Sequence, residues 1–379
     1  MTAGPSLRRR ALLAGTAGTL TATSGCVGDL RNLLGRESTQ QMSLTIAAIT
    51  PPADPYAVPL ANRLSENLQA AGIDAVVDQL IPDVLFRDVL VNQDFDVYVT
   101  RYPGEGDPDE LRTLLHSSYG EEVGWQNPFG FSNLRIDELL EEQRGLAGEE
   151  RQAVVHELLT EVVREQPFTT VAFPDRIASY RTDRFDRWPA GGPAGLPGYL
   201  MLRRVGETDT VELALGDPRI TRNRNPIAVE HRSQGQLTDL MYEPLVRSLA
   251  STSEPTPWLA RNVTWDETAQ SATVTLRSTD WHDGEPVTAD DVAFTYEFLN
   301  DTSLGGFDTP VPTPWRRGRV SLVESAQVVD DETVTLEFVT SVPEVTVRAL
   351  RVPILPEHIW SEQTDRANQI GRASCRERV

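Results

Sequence analysis

The first half of the chain alternates between two hydrophobic periods, and this alternation limits the possible fold more than any other feature. The run "SLTIAAI" at 43–49 has strand character, and Leu60, Leu64 and Leu68 then recur at helical spacing before Gly72. The same order continues through "IDAVVDQ" at 73–79, "DVLFRDVLVNQ" at 83–93 and "FDVYVT" at 95–100. A β-α-β-α-β order predicts a parallel sheet with helices packed on it.

Two longer helices and one more strand are predicted next. The helices cover 134–144 and 149–165, and "FTTVAF" at 168–173 is the strand. The second helix is expected to bury a stripe of six apolar residues: Val154, Val155, Leu158, Leu159, Val162 and Val163. The stretch "WPAGGPAGLPGY" at 188–199, rich in Gly and Pro, is typical of a boundary.

The second half is predicted to be richer in antiparallel hairpins. "VELAL" at 211–215 begins it, and a helix is expected from Gln234 to Tyr242. "ARNVTWDETAQSATVTLRS" at 260–278 alternates as two strands around a turn. "VSLVESAQVVDDETVTLEFV" at 320–339 has the same pattern, with its turn at Asp330 and Asp331.

The charge of the chain argues against two classes of partner. Asp and Glu number 56 against 35 basic residues, all of them Arg, and the net charge is −21. So acidic a surface repels nucleic acid and anionic membranes, and only concentrated salt screens its self-repulsion. The acidic composition without Lys resembles that of proteins from extreme halophiles, of haloarchaeal type. An acidic surface from an ordinary high-GC organism is the alternative.

The first 26 residues have the pattern of an export signal. Three arginines at 8–10 precede the apolar run 11–20, which is too short to span a bilayer. "RRRALL" resembles a twin-arginine signal, and "TSGC" resembles a lipobox, which would place a lipid anchor on Cys26 and leave 27–42 as a tether. A plain cleaved signal is the alternative.

The last ten residues, "IGRASCRERV" at 370–379, resemble the translation of a sequencing-adapter oligonucleotide. We therefore expect the natural protein to continue past residue 369, and a genuine basic tail is the alternative. If Cys375 is set aside, Cys26 is the only cysteine, so neither a disulfide framework nor a cysteine metal site is predicted.

One stretch concentrates groups that could do chemistry, "STDWHDGEPVTADDVAFTYEFLND" at 278–301, which contains His282 and Asp283. Thr288 and Asp291 have the spacing of a capping box before an apolar run, and "HDGE" is typical of a turn. Capping is therefore predicted rather than metal binding. The chain contains no Gly-x-Ser-x-Gly, no His-Glu-x-x-His and no phosphate-binding glycine loop, so an enzyme is the weaker hypothesis.

The second half resembles a known family. "LTDLMYEPLV" at 237–246 is followed, between 255 and 300, by "PTPWLARNVTWDETAQSATVTLRSTDWHDGEPVTADDVAFTYEFL". These motifs, in this order, are similar to those of family 5 extracytoplasmic solute-binding proteins, the peptide and nickel class of ABC-transporter receptors.

The first half is similar to the C-terminal part of the same family. The matching motifs are "LANRLSENLQAAGIDAVV", "FDVYVTRYPGEGDPDELRTLLHSS", "WQNPFGFSNLRIDELLEEQRGLAGEERQAVVHELLTEVVREQPFTTVAFPDRI" and "RFDRW". The two halves thus stand in the opposite order to the family's. A circular permutation joined through 203–209 explains that order, because the family's chain ends lie in one lobe. A partial lobe fused ahead of a complete receptor is the alternative.

The resemblance implies an α/β fold with two lobes, like the periplasmic binding proteins of type II and cluster C, with an antiparallel hairpin-rich subdomain. The lobes would be 43–203 and 210–369. It also implies binding without chemistry: the lobes close on a peptide-like or other small solute and present it to ABC permease and ATPase subunits. A secreted enzyme and a surface sensing or adhesion protein on the same fold are the alternatives.

The implied solute site lies where loops meet at the carboxyl ends of strands. The candidate residues are Arg101, Tyr102, Glu105 and Asp107 after "FDVYVT", Gly216 and Asp217 after "VELAL", and Asn127. Peptide-binding members carry an Asp three residues before a "DP" pair, where this chain has Gly104, so peptide specificity is not implied. Asp107 has the alternative role of capping the next helix. Neither a cofactor nor a metal is expected.

Overall fold

The structure, a computed structural model, describes residues 41–364 except 52, 103–106, 174–176, 190–191, 194, 215–226, 228–237, 249–254, 267 and 315. The export signal with Cys26 and the tail 370–379 lie outside the described residues. In the first half the elements are β1 (Ser43–Ile49), α1 (Ala57–Ala70), β2 (Asp74–Leu80), α2 (Pro82–Phe86), β3 (Val97–Val99), α3 (Glu110–Leu115), α4 (Leu134–Glu142), α5 (Gly148–Glu165), β4 (Phe185–Asp186), α6 (Leu196–Leu200) and β5 (Arg203–Arg204).

The first three strands form a parallel sheet in the order β2-β1-β3, as the alternating periods predict. β1 lies in the middle, and Ile46 has Val77 and Val97 as its neighbours on the two sides. The apolar residues of β1 pack against α1 and α2, with Ile46 and Leu85 inaccessible to solvent. α2 continues as a wider π-type turn over Arg87–Val91, so the predicted helix 83–93 is present in two parts.

A second core lies among three helices. Its buried residues are Leu114, Leu115, Ile136, Leu139, Leu140, Leu158 and Val162, from α3, α4 and α5. The predicted stripe of α5 is too wide, because Leu159 is 45% exposed and Val163 70% exposed. Since α5 packs mainly against α4, one apolar residue per turn is covered rather than two.

The predicted strand at 168–173 is wrong. These residues form no strand, and Phe173 is 91% exposed. A strand needs a neighbour that accepts and donates its backbone hydrogen bonds, and none of the described strands runs beside this segment. Residues 211–214 of "VELAL" likewise form no strand.

The second half contains a four-stranded antiparallel sheet. Its elements are α7 (Thr238–Met241), β6 (Val246–Ser248), β7 (Pro255–Pro257), β8 (Ala260–Trp265), β9 (Ser271–Leu276), α8 (Ala289–Asn300), α9 (Arg317–Val320), β10 (Val323–Asp330), β11 (Thr333–Phe338), α10 (Pro343–Thr346) and α11 (Glu357–Trp360). The order β10-β11-β9-β8 confirms both predicted hairpins. The second turn lies at Asp331 and Glu332, one residue later than predicted.

One face of this sheet packs against α8 to form the largest core. Val274 and Leu336 of the sheet and Val292 and Phe298 of α8 are inaccessible to solvent. The chain is therefore a mixed helix and sheet protein with a hairpin-rich antiparallel unit, as expected. Among the described residues, no helix is long and apolar enough to cross a membrane.

Candidate functional site

The loops after β1 and β3 lie side by side, because these strands are parallel neighbours whose carboxyl ends meet at one edge of the sheet. Arg101 Nε lies 3.3 Å from Oδ2 of Asp54, which is buried in the loop after β1. Asp54 Oδ1 accepts a hydrogen bond from the backbone N of Tyr56 at 2.9 Å. The Arg101 guanidinium lies 5.7 Å from the centre of the Tyr56 ring. With its side chain 55% exposed, Arg101 presents a positive charge to solvent.

Tyr102 and Trp125 form an aromatic surface next to Arg101. Their ring centres are 5.7 Å apart in an edge-to-face arrangement. Although nearly half of Tyr102 is exposed, desolvation of its hydroxyl raises the pKa above the ordinary value, with a smaller contribution from the charge of Glu110 and an opposing one from Arg348. The phenol is protonated at neutral pH even at the ordinary pKa of tyrosine, so it is a hydrogen-bond donor. We call Asp54, Tyr56, Arg101, Tyr102 and Trp125 the edge site.

Asp107 closes the turn that leads into α3. Its Oδ1 accepts a hydrogen bond from the backbone N of Asp109 at 2.8 Å and lies 3.4 Å from Arg151 Nη2. Arg348 Nη1 is 3.8 Å from the same oxygen. The side chain of Asp107 thus shapes the turn before the N-cap residue Asp109 and accepts no hydrogen bond from the helix itself. A solute contact of Asp107 stays a prediction.

Asn127 is fully buried and holds a loop in shape. Its Nδ2 donates to the carbonyls of Phe131 at 2.7 Å and His116 at 3.2 Å. Its Oδ1 accepts from Phe131 N at 2.8 Å, and its φ of 39° lies in the left-handed region that Asn tolerates. A solute contact of Asn127 stays a prediction. Glu105, Gly216 and Asp217 lie outside the described residues.

A buried ion cluster joins the two halves, and one of its members, Arg348, is near enough for its charge to act on Tyr102. Asp109 Oδ1 is 2.6 Å from Arg144 Nε, and Asp109 Oδ2 is 2.9 Å from Arg144 Nη2 and 2.6 Å from Arg348 Nη1. Gln143 Nε2 donates to Asp109 Oδ1 at 2.8 Å. Burial alone would raise the pKa of Asp109, but the hydrogen bonds and charges of Arg144 and Arg348 hold it below its usual value. We call Asp109, Gln143, Arg144 and Arg348 the junction cluster.

A second group of contacts braces the loop that carries Trp125 against the other half. Arg317 pairs with Glu122 through two hydrogen bonds, at 3.0 and 3.2 Å, and also donates to Asn300 Oδ1 at 3.0 Å. Gln126 Nε2 donates to the carbonyl of Pro314 at 2.9 Å. The aromatic surface is thus positioned by residues of both halves.

Gly124, next to Trp125, is a place where only glycine fits. Its φ is +102°, and a Cβ built there would lie 2.5 Å from Pro314 Cβ. Its backbone N donates to the carbonyl of Leu90 at 2.8 Å. The loop therefore passes close to both halves because residue 124 has no side chain.

The acid-rich stretch at 278–301 has the predicted structural role. Thr288 and Asp291 form a reciprocal capping box at the start of α8. Asp291 Oδ2 also accepts from Trp281 Nε1 at 3.1 Å, and its Oδ1 accepts from Glu357 N at 2.9 Å. Asp291 is buried and connects three segments of the second half. Within the described ranges, no group of three or more His, Cys, Asp or Glu could hold a metal ion.

The comparison with protein families gives a partial match. Residues 254–373 match the model described as bacterial extracellular solute-binding proteins, family 5, middle part. The match includes the region 255–300 in which the resemblance was recognised, so the similarity of this segment to family 5 solute-binding proteins is confirmed. A comparison with curated protein sequences found no match.

Solved structures of similar proteins align with only a part of the chain. The complex of NikZ from Campylobacter jejuni with Ni(L-His) is 22% identical over 31% of this chain and 22% of its own, with a TM-score of 0.24. AppA from Bacillus subtilis in complex with a nonapeptide is 22% identical over 33% and 23%, with a TM-score of 0.27. The mannohexaose-bound oligopeptide-binding protein from Thermotoga maritima is 29% identical over 35% and 23%, with a TM-score of 0.28. The chain thus spans less than a quarter of the length of each of these proteins.

Sequence reasoning found part of the edge site and missed the junction cluster. Arg101 and Tyr102 follow a predicted strand directly, which made them visible. Trp125 follows no strand, and Asp54 is one of 56 acidic residues in the chain. The paired loops could have pointed to Asp54, since it also follows a strand of the parallel sheet.

Proposed function

We propose that this protein is an extracytoplasmic solute receptor that binds a peptide-like or other small solute and delivers it to an ABC importer. The match of residues 254–373 to the family 5 solute-binding model carries the proposal. The implied partners are permease and ATPase subunits, and nucleic acid is not among them. The proposed action is binding by hinge closure, without chemical conversion of the solute.

The proposed solute position is the edge site. Arg101 offers an exposed charge held in place by Asp54, Tyr102 offers a hydroxyl donor, and the rings of Tyr102 and Trp125 offer apolar surface. Pockets for small ligands combine such apolar walls with a few fixed polar groups. Glu105, Asp107, Asn127, Gly216 and Asp217 are further proposed contacts.

The binding proposal can be tested with a library of peptides, sugars and metal chelates, added to the intact protein in concentrated salt. We expect one chemical class to raise the melting temperature, because a ligand that binds only the folded state stabilises it. In Arg101→Gln, the same rise in melting temperature should require at least tenfold more ligand. Arg63→Gln, which replaces an exposed arginine on α1, should leave the required concentration unchanged. Chemical conversion of a library member would support the enzyme alternative instead.

The two lobes are proposed as residues 43–203 and 210–369. If they close on the solute, the distance between spin labels on α1 and β10 should shorten when the solute found in the library is added. The labels would be placed at exposed Arg63 and Val328 after Cys26 and Cys375 are replaced by Ser. An unchanged distance at saturating solute would contradict hinge closure.

The proposed location is the outer face of the cell membrane, with Cys26 as the lipid-modified residue. Mass spectrometry of the N-terminal peptide from the native host should show a diacylglycerol mass on Cys26. A peptide that begins after a plain cleavage site and carries no lipid would show that the protein is secreted without a lipid anchor. The haloarchaeal character is proposed from the net charge of −21, and unfolding should become harder as salt rises through the molar range.

The exchanged order of the halves is proposed to be a circular permutation. The junction cluster supports it, because it binds the α/β segment to the hairpin segment within one chain. The complete gene distinguishes the two accounts. A permuted receptor should contain one copy of the segment that includes "FDVYVTRYP", whereas a second copy downstream would show that a partial lobe was fused to a whole receptor.

A further inference from the structure

Arginines of the second half gather where it meets α3, although the chain as a whole is strongly acidic. They are Arg319 on α9, Arg348, and Arg351 in the 3-10 turn Ala349–Arg351. α9 contacts both α3 and this turn, so the three side chains share one region of the junction. A concentration of positive charge is unusual in a chain with a net charge of −21.

The charge of Arg348 is already neutralised by the first half. Its Nη1 is 2.6 Å from Asp109 Oδ2 and 3.8 Å from Asp107 Oδ1, and its Nη2 is 3.7 Å from Glu110 Oε1. Asp109 in turn is engaged by Arg144. The nearby carboxylates are therefore occupied by other partners.

Arg351 lacks such a partner. Its side chain is half-buried, and its Nε is buried and makes no hydrogen bond. Among the described residues, no carboxylate forms an ion pair with it. A buried guanidinium donor without an acceptor is costly, because desolvation is not repaid by a hydrogen bond. The arrangement thus leaves a preformed donor group without an acceptor.

The pKa values of Arg319 and Arg351 agree with an excess of positive charge in this region. Arg319 is buried, and desolvation together with the charges of Arg348 and Arg351 lowers its pKa to about 9. The pKa of Arg351 is lowered by desolvation and by Arg348, and only Asp107 acts in the opposite direction. An anion beside Arg351 would offset the repulsion that contributes to these two lowered pKa values.

We propose that Arg351 binds one small monovalent anion, a carboxylate group or a halide, in the positive region it shares with Arg319 and Arg348. The guanidinium fork matches a carboxylate, and a halide can accept from the same donors. The site lies near the turn of Asp107, whose charge acts on Arg351. It does not depend on the transport function, because a free anion can fill it.

The test measures chemical modification of arginine by phenylglyoxal in the full-length protein, mapped by mass spectrometry. Sodium sulfate would be replaced by sodium acetate or sodium chloride at constant ionic strength. We expect acetate or chloride to slow modification of Arg351 at least tenfold in a saturable way. Arg261, an exposed arginine of the same half, serves as control within each sample and should react at a constant rate. The anion that protects at the lower concentration identifies the natural source as a carboxylate or a halide.

A second measurement uses variants. The Tm of Arg261→Gln should respond to acetate or chloride as the unaltered protein does, and Arg351→Gln should lose the saturable part of that response. Equal modification of Arg351 in all three salts, or an unchanged response in Arg351→Gln, overturns the proposal. If acetate or chloride protects Arg351 but no library member raises the melting temperature, the anion site stands while the proposed receptor function fails. The two outcomes are therefore distinguishable.

Discussion

Arg348 donates a hydrogen bond from Nη1 to Asp109 Oδ2 at 2.6 Å, although 239 positions of sequence separate the two residues. Both side chains are buried, and the contact connects the hairpin half to the turn before α3. Thr340 adds a hydrogen bond from its hydroxyl to the carbonyl of Arg144. Because the charges are removed from water, they are tolerated only in this mutual geometry. Asp109 is therefore one of the residues that fix the relative position of the halves, together with the contacts around Glu122 and Gln126.

Replacing Asp109 with Asn tests that dependence. The amide keeps the shape but removes the charge, which leaves Arg144 and Arg348 buried without an anion, so we expect the free energy of unfolding to fall by about 3–5 kcal/mol. Urea denaturation at constant salt measures it. Asp183→Asn is the control, since its pair with Arg181 is exposed and should contribute nothing measurable. Equal effects of the two substitutions would contradict the structural role of the cluster.

Gly124→Ala tests the loop that carries Trp125. A Cβ at this position meets Pro314, and a φ of +102° disfavours any residue with a side chain. We expect the free energy of unfolding to fall by about 2–4 kcal/mol through strain and overpacking. Gly145→Ala, where no atom lies within 4 Å of the new Cβ and no positive φ is required, should have little effect in the same urea titration. If both variants unfold at the same urea concentration, the close approach at Gly124 contributes nothing to the stability of the fold.

The features predicted correctly from sequence depend on residues close together in the chain. Thr288 and Asp291 are three positions apart, and the parallel sheet follows from strands and helices whose periods are read within single segments. The contacts of Asp291 with Trp281 and Glu357 were not predicted, because nothing local to Asp291 specifies them. Local patterns thus gave the cap but not the packing around it.

The wrong and missed predictions concern features that depend on residues far apart in the chain. Residues 168–173 have the alternation of a strand, yet a strand exists only if another one pairs with it. Asp109 is one of 56 acidic residues, and no feature of its neighbours distinguishes it from exposed ones. Its importance comes from Arg348, and a contact at that separation cannot be derived from a single sequence. The candidate site was therefore predicted only where it directly follows a strand.

Asp291→Asn tests the capping box and its added contacts. The buried carboxylate accepts hydrogen bonds from Thr288 N, Trp281 Nε1 and Glu357 N. Loss of its charge should lower the free energy of unfolding by about 2–3 kcal/mol, since hydrogen bonds to charged groups are the stronger ones. The neighbouring Asp290→Asn removes an exposed charge from the same helical turn and is the matched control. Thermal unfolding of the two variants should separate them clearly, and a larger effect at Asp290 would favour a simple helix-dipole role.

The pair His358 and Asp283 predicts a pH dependence. His358 Nε2 lies 2.8 Å from Asp283 Oδ2, and this hydrogen bond is the main reason why the pKa of His358 is raised above its ordinary value. The same bond lowers the pKa of Asp283. A raised His pKa stabilises the fold below the unfolded value of about 6.5 and loses that effect as pH rises through the folded pKa. A lowered Asp pKa stabilises above about 3.9 and loses its effect as pH falls, so the pair contributes between these limits.

The measurement is an NMR titration of the His358 ring from acid to alkaline pH. Asp283→Asn should move the His358 pKa down toward its ordinary value, leaving only the smaller contributions of Asp291 and Glu285. Asp280→Asn, in the same loop but without a bond to the imidazole, should leave the titration curve in place. A His358 curve that does not change in Asp283→Asn would show that the hydrogen bond is absent in solution. Because both side chains are exposed, the shift should also shrink as salt is added.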